Sequence, residues 1–337
     1  MSALLLEGWV PMRVYWQGAE PLVEWCYLGA GRFTDAFFDT TIQQALETPF
    51  NTLFRHQTSM DALAEWHARS PGLKPTGFIF HMSRCGSTLV SQLLASLPTS
   101  LVLSEAGPID ALIRSHLRAP DVPAAQRIDW LRWAVSALGQ RRTGAEQHYF
   151  IKLDGRSTAH LPFVRQAFPE VPWIFLYRDP VEVMVSNLRG PSAATIPGVV
   201  GLELMGLPLS QVAAMSMEEY AARVLGVLCE SAARSLPDTL GKPIHYRQLP
   251  DAVWEALPAH LGYQLTAADV ARMKDIARLN VKDPQQPFTS DSESKHREAS
   301  AQVRELAELW IGPHYRRLEA LAVGQGDGTC VPHALPS

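Results

Sequence analysis

Apolar residues along this 337-residue chain follow two rhythms. Short continuous apolar runs, of the kind that form strands buried on both faces, occur at Gly77–His81, Leu101–Leu103, Tyr149–Leu153 and Trp173–Tyr177. Between them the apolar positions fall three or four apart, as on one face of a helix. This predicts helices over Thr88–Leu97, Ile109–Leu117, Arg127–Leu138, Ala159–Phe168 and Pro180–Leu188. In the first of these, Leu89, Leu93, Leu94 and Leu97 form the stripe and Pro98 ends it. Pro180 sits in the first turn of its helix, where the missing N–H is harmless. Strand and helix alternating at these lengths predict a parallel sheet with helices on both faces. Met217–Ser235 is a further helix and Pro243–Tyr246 the last strand. The remainder reads as helices at Ala252–Leu261 and Ala267–Arg278, an irregular segment Val281–Asp291, and one long helix from Ser294 to Leu321.

Residues 1–74 read differently, as a mixed extension packed on one side of a core domain spanning 75–323. It has short aromatic and β-branched strands at Trp9–Tyr15 and Leu22–Leu28, then helices at Asp39–Leu46 and Met60–Arg69, the second with Ser59 as N-cap and Pro71-Gly72 as stop. Residues 324–337 read as a flexible tail. The glycine- and proline-rich apolar stretch after Arg189 is longer than an ordinary connection, as lids and binding loops are.

Composition narrows the function classes. A net charge of −4 gives no general footprint for nucleic acid, although it says nothing about one cleft. Cys26, Cys85, Cys229 and Cys330 form no CxxC pair and no zinc-type spacing, as expected of reduced thiols in a cytoplasmic protein. The first residues, Met1–Leu6, lack the pattern of a secretory leader. Ile196–Met217 is apolar, but its Glu203, glycines and prolines suit a loop or buried helix rather than a membrane span.

The chemistry concentrates in FIFHMSRCGSTLVSQLL. A strand enters a small-residue loop that opens a helix, so loop amides and the helix N-terminus face one point and favour an anion there. Gly86 allows close backbone approach. Ser87 and Thr88 add hydroxyls, and Arg84 adds a charged fork suited to phosphate or sulfate oxygens. GxxxxGK[ST] is not met, since His81 stands at the first glycine and Ser87 at the lysine. A second motif, WIFLYRDPVEVMVSNLR, places Arg178 at a strand end and Ser186 eight residues on in the following helix, an offset that can bring both to one anion. Either motif alone is also what a plain strand-to-helix turn looks like.

Together, in this order and about a hundred residues apart, they resemble the PAPS-dependent sulfotransferases, which use 3′-phosphoadenosine 5′-phosphosulfate (PAPS). SRCGSTL resembles the family's 5′-phosphosulfate loop, nearer the tyrosylprotein branch, which has an arginine followed by Ser-Gly-Thr-Thr-Leu, than the cytosolic branch, which has a lysine. Cys85 departs from the usual serine. The resemblance covers about Gly77–Tyr246 and implies a P-loop-NTPase-like three-layer α/β/α fold, PAPS as donor, PAP (3′,5′-ADP) as product, and no required metal. It implies that Arg84, Cys85, Gly86, Ser87 and Thr88 hold the 5′-phosphosulfate and that Arg178 and Ser186 hold the 3′-phosphate.

Transfer of a sulfuryl group to a hydroxyl or amine calls for cations at the leaving oxygen and a base at the acceptor. Lys152, at the end of YFIKLD, matches the family's strand-end lysine. The cytosolic branch's histidine two residues later is replaced here by Asp154. Glu105, 21 residues after Arg84, matches the tyrosylprotein branch's glutamate. Glu105 is the first candidate base, with a pKa raised by an apolar lid, Asp154 the alternative and His160 a distant third. Arg247 in IHYRQLPD is expected near the nucleotide. Lys282 and Lys295 are weaker candidates for the 3′-phosphate, because their spacing does not match the cytosolic branch's RKGxxGDWK. The acceptor, a small molecule or a peptide, and the oligomeric state are left open, with a slight lean towards an apolar or aromatic acceptor. A nucleotide or small-molecule kinase and a non-catalytic PAP-binding protein are the rivals.

Overall fold

A computed structural model describes residues 6–18, 20–197, 205–280, 283–287 and 291–324. The apolar runs form a five-stranded parallel sheet: β4 (Gly77–His81), β5 (Ser100–Ser104), β6 (His148–Lys152), β7 (Trp173–Tyr177) and β8 (Gly241–His245), in the order β5-β6-β4-β7-β8. β4, β5 and β7 are buried along their whole length, which is why they read as unbroken apolar runs.

β4 lies at the centre. From it the chain passes through helix α4 (Ser87–Ala95) to the β5 edge, while from β7 it passes the other way, through α8 (Pro180–Arg189), towards β8. The loops leaving β4 and β7 therefore part company. The crevice outside the carboxyl ends of these two neighbours is where an open α/β sheet takes a ligand. Helices α5 (Gly107–Ile113), α6 (Ala124–Leu138) and α7 (Leu161–Ala167) and the long helix Met217–Ser235 complete the layers.

The extension forms an antiparallel sheet of β1 (Trp9–Gln17), β2 (Glu20–Tyr27) and β3 (His56–Ser59), with helices α1 (Phe38–Leu46), α2 (Pro49–Leu53) and α3 (Met60–Arg69). Its Val10, Val23, Trp25 and Leu63 belong to the same buried cluster as Phe78, Ile79 and Leu101. Within the glycine- and proline-rich stretch, Ala194 and Val212 pack with Tyr220, Val224 and Leu228 of the long helix. No helix among the described residues is long and apolar enough to cross a membrane.

Three features differ from the expectations. β3 and α2 were not anticipated: β3 is a polar His-Gln-Thr-Ser run on a sheet edge, which shows no alternation. The single C-terminal helix is three helices, Ser292–Glu298, Ala301–Trp310 and Gly312–Gly324. The first break falls at Ala299, which is extended, and Ser300, whose hydroxyl accepts from Val303 N at 3.1 Å and caps the next helix. The second falls at Ile311, and Gly312-Pro313 opens the third helix. Within the segment expected to be irregular, Asp283–Pro287 forms a short strand antiparallel to Leu279–Asn280 just before it.

Candidate functional site

The loop from β4 to α4 turns on three residues with positive φ: Ser83 (71°), Arg84 (51°) and Gly86 (87°). Only glycine takes this region freely, so Ser83 and Arg84 are held there by their surroundings. The Ser83 N–H donates to His81 Nδ1 at 3.0 Å, and Ser83 Oγ lies 3.4 Å from Asn187 Oδ1 on α8. A Cβ on Gly86 would come 2.8 Å from the Leu249 side chain and 3.0 Å from the Tyr246 ring. Backbone with successive residues at positive φ ahead of a helix N-terminus, as before α4, is the geometry of anion-binding loops. Arg84 is half-buried, and burial lowers its pKa while nearby Asp291 works to raise it. Ser87 is buried as the first residue of α4, with Thr88 next to it. Cys85 faces away: its thiol is fully buried, donates to the Leu176 carbonyl at 3.1 Å, and is pushed up to about 12 by burial. Only its backbone N–H is left to serve a ligand.

At the ends of β5 and β6, Glu105 and Lys152 form an ion pair. The Lys152 side chain is 0% exposed. Glu105 has a φ of 58°, and its N–H donates to the Lys152 carbonyl at 2.8 Å. With Nδ1 accepting from Ser83, the His81 ring carries its proton on Nε2, 3.0 Å from the Leu153 carbonyl and 3.6 Å from Glu105 Oε1. Burial works to raise the Glu105 pKa, but the Lys152 ammonium and His81 overcome it and hold the carboxyl at about 2. The expected raised pKa is thus corrected, because the lysine at the end of the neighbouring strand proves to be in direct contact. The raised carboxyl is that of Asp154. Burial lifts it, Arg156 opposes, and the charges of Glu105 and Asp110 add to the lift. Asp154 Oδ1 also accepts from Arg156 N at 3.0 Å, capping the turn after β6. His160, at the end of that turn, packs its ring against His116 instead.

At the carboxyl end of β7 the Arg178 guanidinium is enclosed. Its Nε binds the Glu182 carboxylate, Nη2 donates to Asp291 Oδ1 at 2.8 Å, and its carbon lies 3.9 Å from the centre of the Tyr246 ring. Ser186 is buried one turn beyond Glu182 on the same face of α8, so it is Glu182, nearer the strand end, that takes the arginine. Lys295, one of the two weaker candidates, is buried, and its Nζ lies 2.8 Å from Asp291 Oδ2. Asp291 therefore bridges two cations, one on each oxygen. Burial works to raise its pKa, but Lys295 and Arg178 bring it below the ordinary value. Arg247 does not join this group: it bonds Glu319 at 2.8 Å and His245 Nδ1 at 3.1 Å, and it is its neighbour Tyr246 that meets Arg178. Lys282 lies outside the described residues.

Several participants were not singled out from the sequence. Glu182 and Asp291 are partners across space, and no local pattern announces them. Phe37 and Asp39 come from the extension. The Lys152 ammonium lies 5.4 Å from the centre of the Phe37 ring, and Asp39 has its pKa raised by burial and by Glu105. This segment is tied down by Gln92 of α4, which donates to the Asp35 carbonyl at 2.9 Å. Asn187 links the loop after β4 to the stretch beyond α8, accepting from Thr195 Oγ1 at 3.3 Å.

No family model and no curated protein matches the sequence. Among solved structures, sulfotransferase STF9 from Mycobacterium avium aligns over 76% of this chain and 80% of its own, with a TM-score of 0.50 and 14% identity. A sulfotransferase from Alicyclobacillus acidocaldarius aligns over 74% and 96%, with a TM-score of 0.45 and 15% identity. Mouse sulfotransferase SULT7A1, solved with PAP, aligns over 80% and 93%, with a TM-score of 0.37 and 14% identity. At such identities a likeness speaks of fold alone, and the first of the three carries it. The chain has the sulfotransferase fold, a three-layer α/β/α arrangement around a five-stranded parallel sheet.

Proposed function

We propose that this chain is a sulfotransferase that takes PAPS as donor and releases PAP, and that it does so in the cytoplasm. The observation that carries the proposal is the Asp291 carboxylate, gripped by Arg178 and Lys295 on the sheet edge that also bears the positive-φ loop. A protein anion already fills a two-cation cradle where the resemblance expects a 3′-phosphate, so the chemistry of the cradle fits that group. Arg84, Ser87, Thr88 and the amides of 84–88 would hold the 5′ end, with Arg178, Lys295 and Ser186 at the 3′ end. The donor, when bound, supplies an activated sulfuryl group.

The chain's own residues supply the rest. Lys152 is a buried cation on the loop side of β6, suited to the charge that develops on a leaving oxygen. Asp154 is the better base of the two carboxylates. Its raised pKa brings it nearer neutrality, while Glu105 is committed to Lys152. Glu105 then serves to hold the ammonium in place. Phe37 is 41% exposed beside Lys152 and offers a flat apolar wall, which suits an aromatic acceptor hydroxyl or amine.

The test is thermal melting of the purified protein with PAP, with ATP, AMP and 5′-ADP as controls. A ligand at 100 times its Kd stabilises by about 2.7 kcal/mol, an easily seen shift. Selective stabilisation by PAP, lost in Arg178→Ala, is the expected result. Stabilisation by ATP alone would favour a phosphotransferase, and stabilisation by none would remove the donor site. PAP binding without transfer to any of a panel of phenols, alcohols and amines would favour a non-catalytic PAP-binding protein, a reading kept open by Asp154 standing where the cytosolic branch has a histidine.

A further inference from the structure

A second charged site lies away from the nucleotide crevice. Helix α6 ends at Leu138, and the chain then turns through Gly139–Arg142 before β6 begins at His148. This is the amino-terminal edge of the sheet, opposite the loops that leave β4, β6 and β7. Arg142 is only 8% exposed, yet its Nε and Nη2 have no hydrogen-bond partner among the described residues. The nearby carboxylate, Glu146, is taken up by the Thr143 N–H and hydroxyl at 3.1 Å each. The guanidinium instead lies 5.8 Å from the centre of the Phe33 ring. Burial lowers its pKa to about 10, with Tyr149 and Glu146 opposing.

A buried charge with no bound counter-charge is costly, and arginine does not shed its proton near neutral pH. Arg142 borders a cavity of about 710 Å³ between the ends of β1 and β2 and the ends of α3 and α6. Trp66 and Gln140 line it as well, Arg141 and Glu7 stand at its rim, and the Trp66 indole N–H is also buried without a partner. The volume is that of a small-ligand site. The charged groups bordering it are two guanidiniums against one carboxylate, and a low-dielectric wall concentrates their field.

We propose that this cavity is a binding site for a small oxyanion, a carboxylate, sulfate or phosphate group on a molecule of small-ligand size, with Arg142 as its counter-charge. It is independent of the nucleotide crevice and does not depend on the function proposed above.

The test is melting of the full chain in a low-salt chloride buffer, titrated separately with inorganic sulfate, inorganic phosphate and benzoate. These three arms separate the sources of the oxyanion. The comparison is among wild type, Arg178→Ala, Arg142→Lys and Arg142→Met. Expected is a saturable rise in melting temperature with at least one anion, retained in Arg178→Ala and weakened about tenfold or more in apparent affinity in Arg142→Lys, which keeps the charge but loses the fork. Arg142→Met is expected to melt higher than wild type in the absence of the anions, since the uncompensated charge is gone. A rise without saturation is the general salting effect of excluded anions and overturns the proposal. So does a saturable rise unchanged by Arg142→Lys, or one lost in Arg178→Ala, which would assign the anion to the nucleotide crevice. Should Arg142→Met fail to fold, Arg142→Lys decides the matter.

Discussion

At the scale of single residues, the site rests on carboxylates whose partners set their roles. Glu105 and Asp154 sit on neighbouring strand ends, yet one is held at about 2 and the other is raised, because Lys152 touches the first and burial dominates the second. Glu105→Gln leaves the fully buried Lys152 ammonium without its counter-charge, and the expected loss is about 3–5 kcal/mol by urea unfolding at neutral pH. The sign of the pH dependence follows. The folded pKa of about 2 lies below the ordinary 4.5, so the pair's contribution is complete above 4.5 and is lost as pH falls towards 2. The gap between wild type and variant is therefore expected to narrow over that window. A gap that stays constant from neutrality to pH 3 would mean that the pair does not stabilise the fold. Much of this was hidden in the sequence. The small-residue loop after β4, Arg178, Lys152 and both carboxylates stand out because each lies at the end of a buried strand. The Glu105–Lys152 contact does not, since β5 pairs β6 only after the chain has passed through α5 and α6.

At the scale of elements, two of the strands with both faces covered were legible to the residue, and β5 was legible short by one residue at each end. Gly77–His81 and Trp173–Tyr177 match β4 and β7, and Met217–Ser235 matches its helix, because apolar period and end signals agree there. The C-terminal region was not, since Ser300 and Gly312-Pro313 interrupt a charge-rich stretch whose periodicity continues across both breaks. Those breaks matter, because they set the helix Ser292–Glu298 against α8 with Asp291 at its N-cap and Lys295 one turn in. If this helix start occupies the donor's 3′ cradle, Asp291 competes with the nucleotide and Lys295 assists it. Calorimetry with PAP is expected to give about tenfold tighter binding to Asp291→Ala, equivalent to about 1.4 kcal/mol, and weaker binding to Lys295→Ala. Weaker binding to Asp291→Ala would instead assign the carboxylate a supporting role in holding Arg178 in position.

At the scale of the molecule, the extension is part of one body with the sheet. Val10, Val23 and Leu63 are fully buried in the common cluster, and Arg32 donates to the carbonyls of Ala95, Leu97 and Ser100 at 3.2, 2.7 and 3.2 Å. A chain lacking residues 1–74 is therefore expected to lose its cooperative melting transition and its near-ultraviolet circular dichroism. A truncated chain that still melts cooperatively would make the extension a separate domain. The order of the sheet has one more consequence, which concerns how the chain reaches this state. β1 and β2 are joined by a tight hairpin, but every neighbouring pair among β4–β8 is separated by at least one helix, and β4, the central strand, finds its partners β6 and β7 only after most of the layers between have been made. Pairings between distant segments form slowly, whereas hairpins close in microseconds. The β1–β2 hairpin should thus be formed while β4 still lacks both neighbours, leaving GFIFH exposed as an unpaired apolar edge during the slow phase. That interval, rather than any weakness of the finished fold, is when this protein is most open to aggregation.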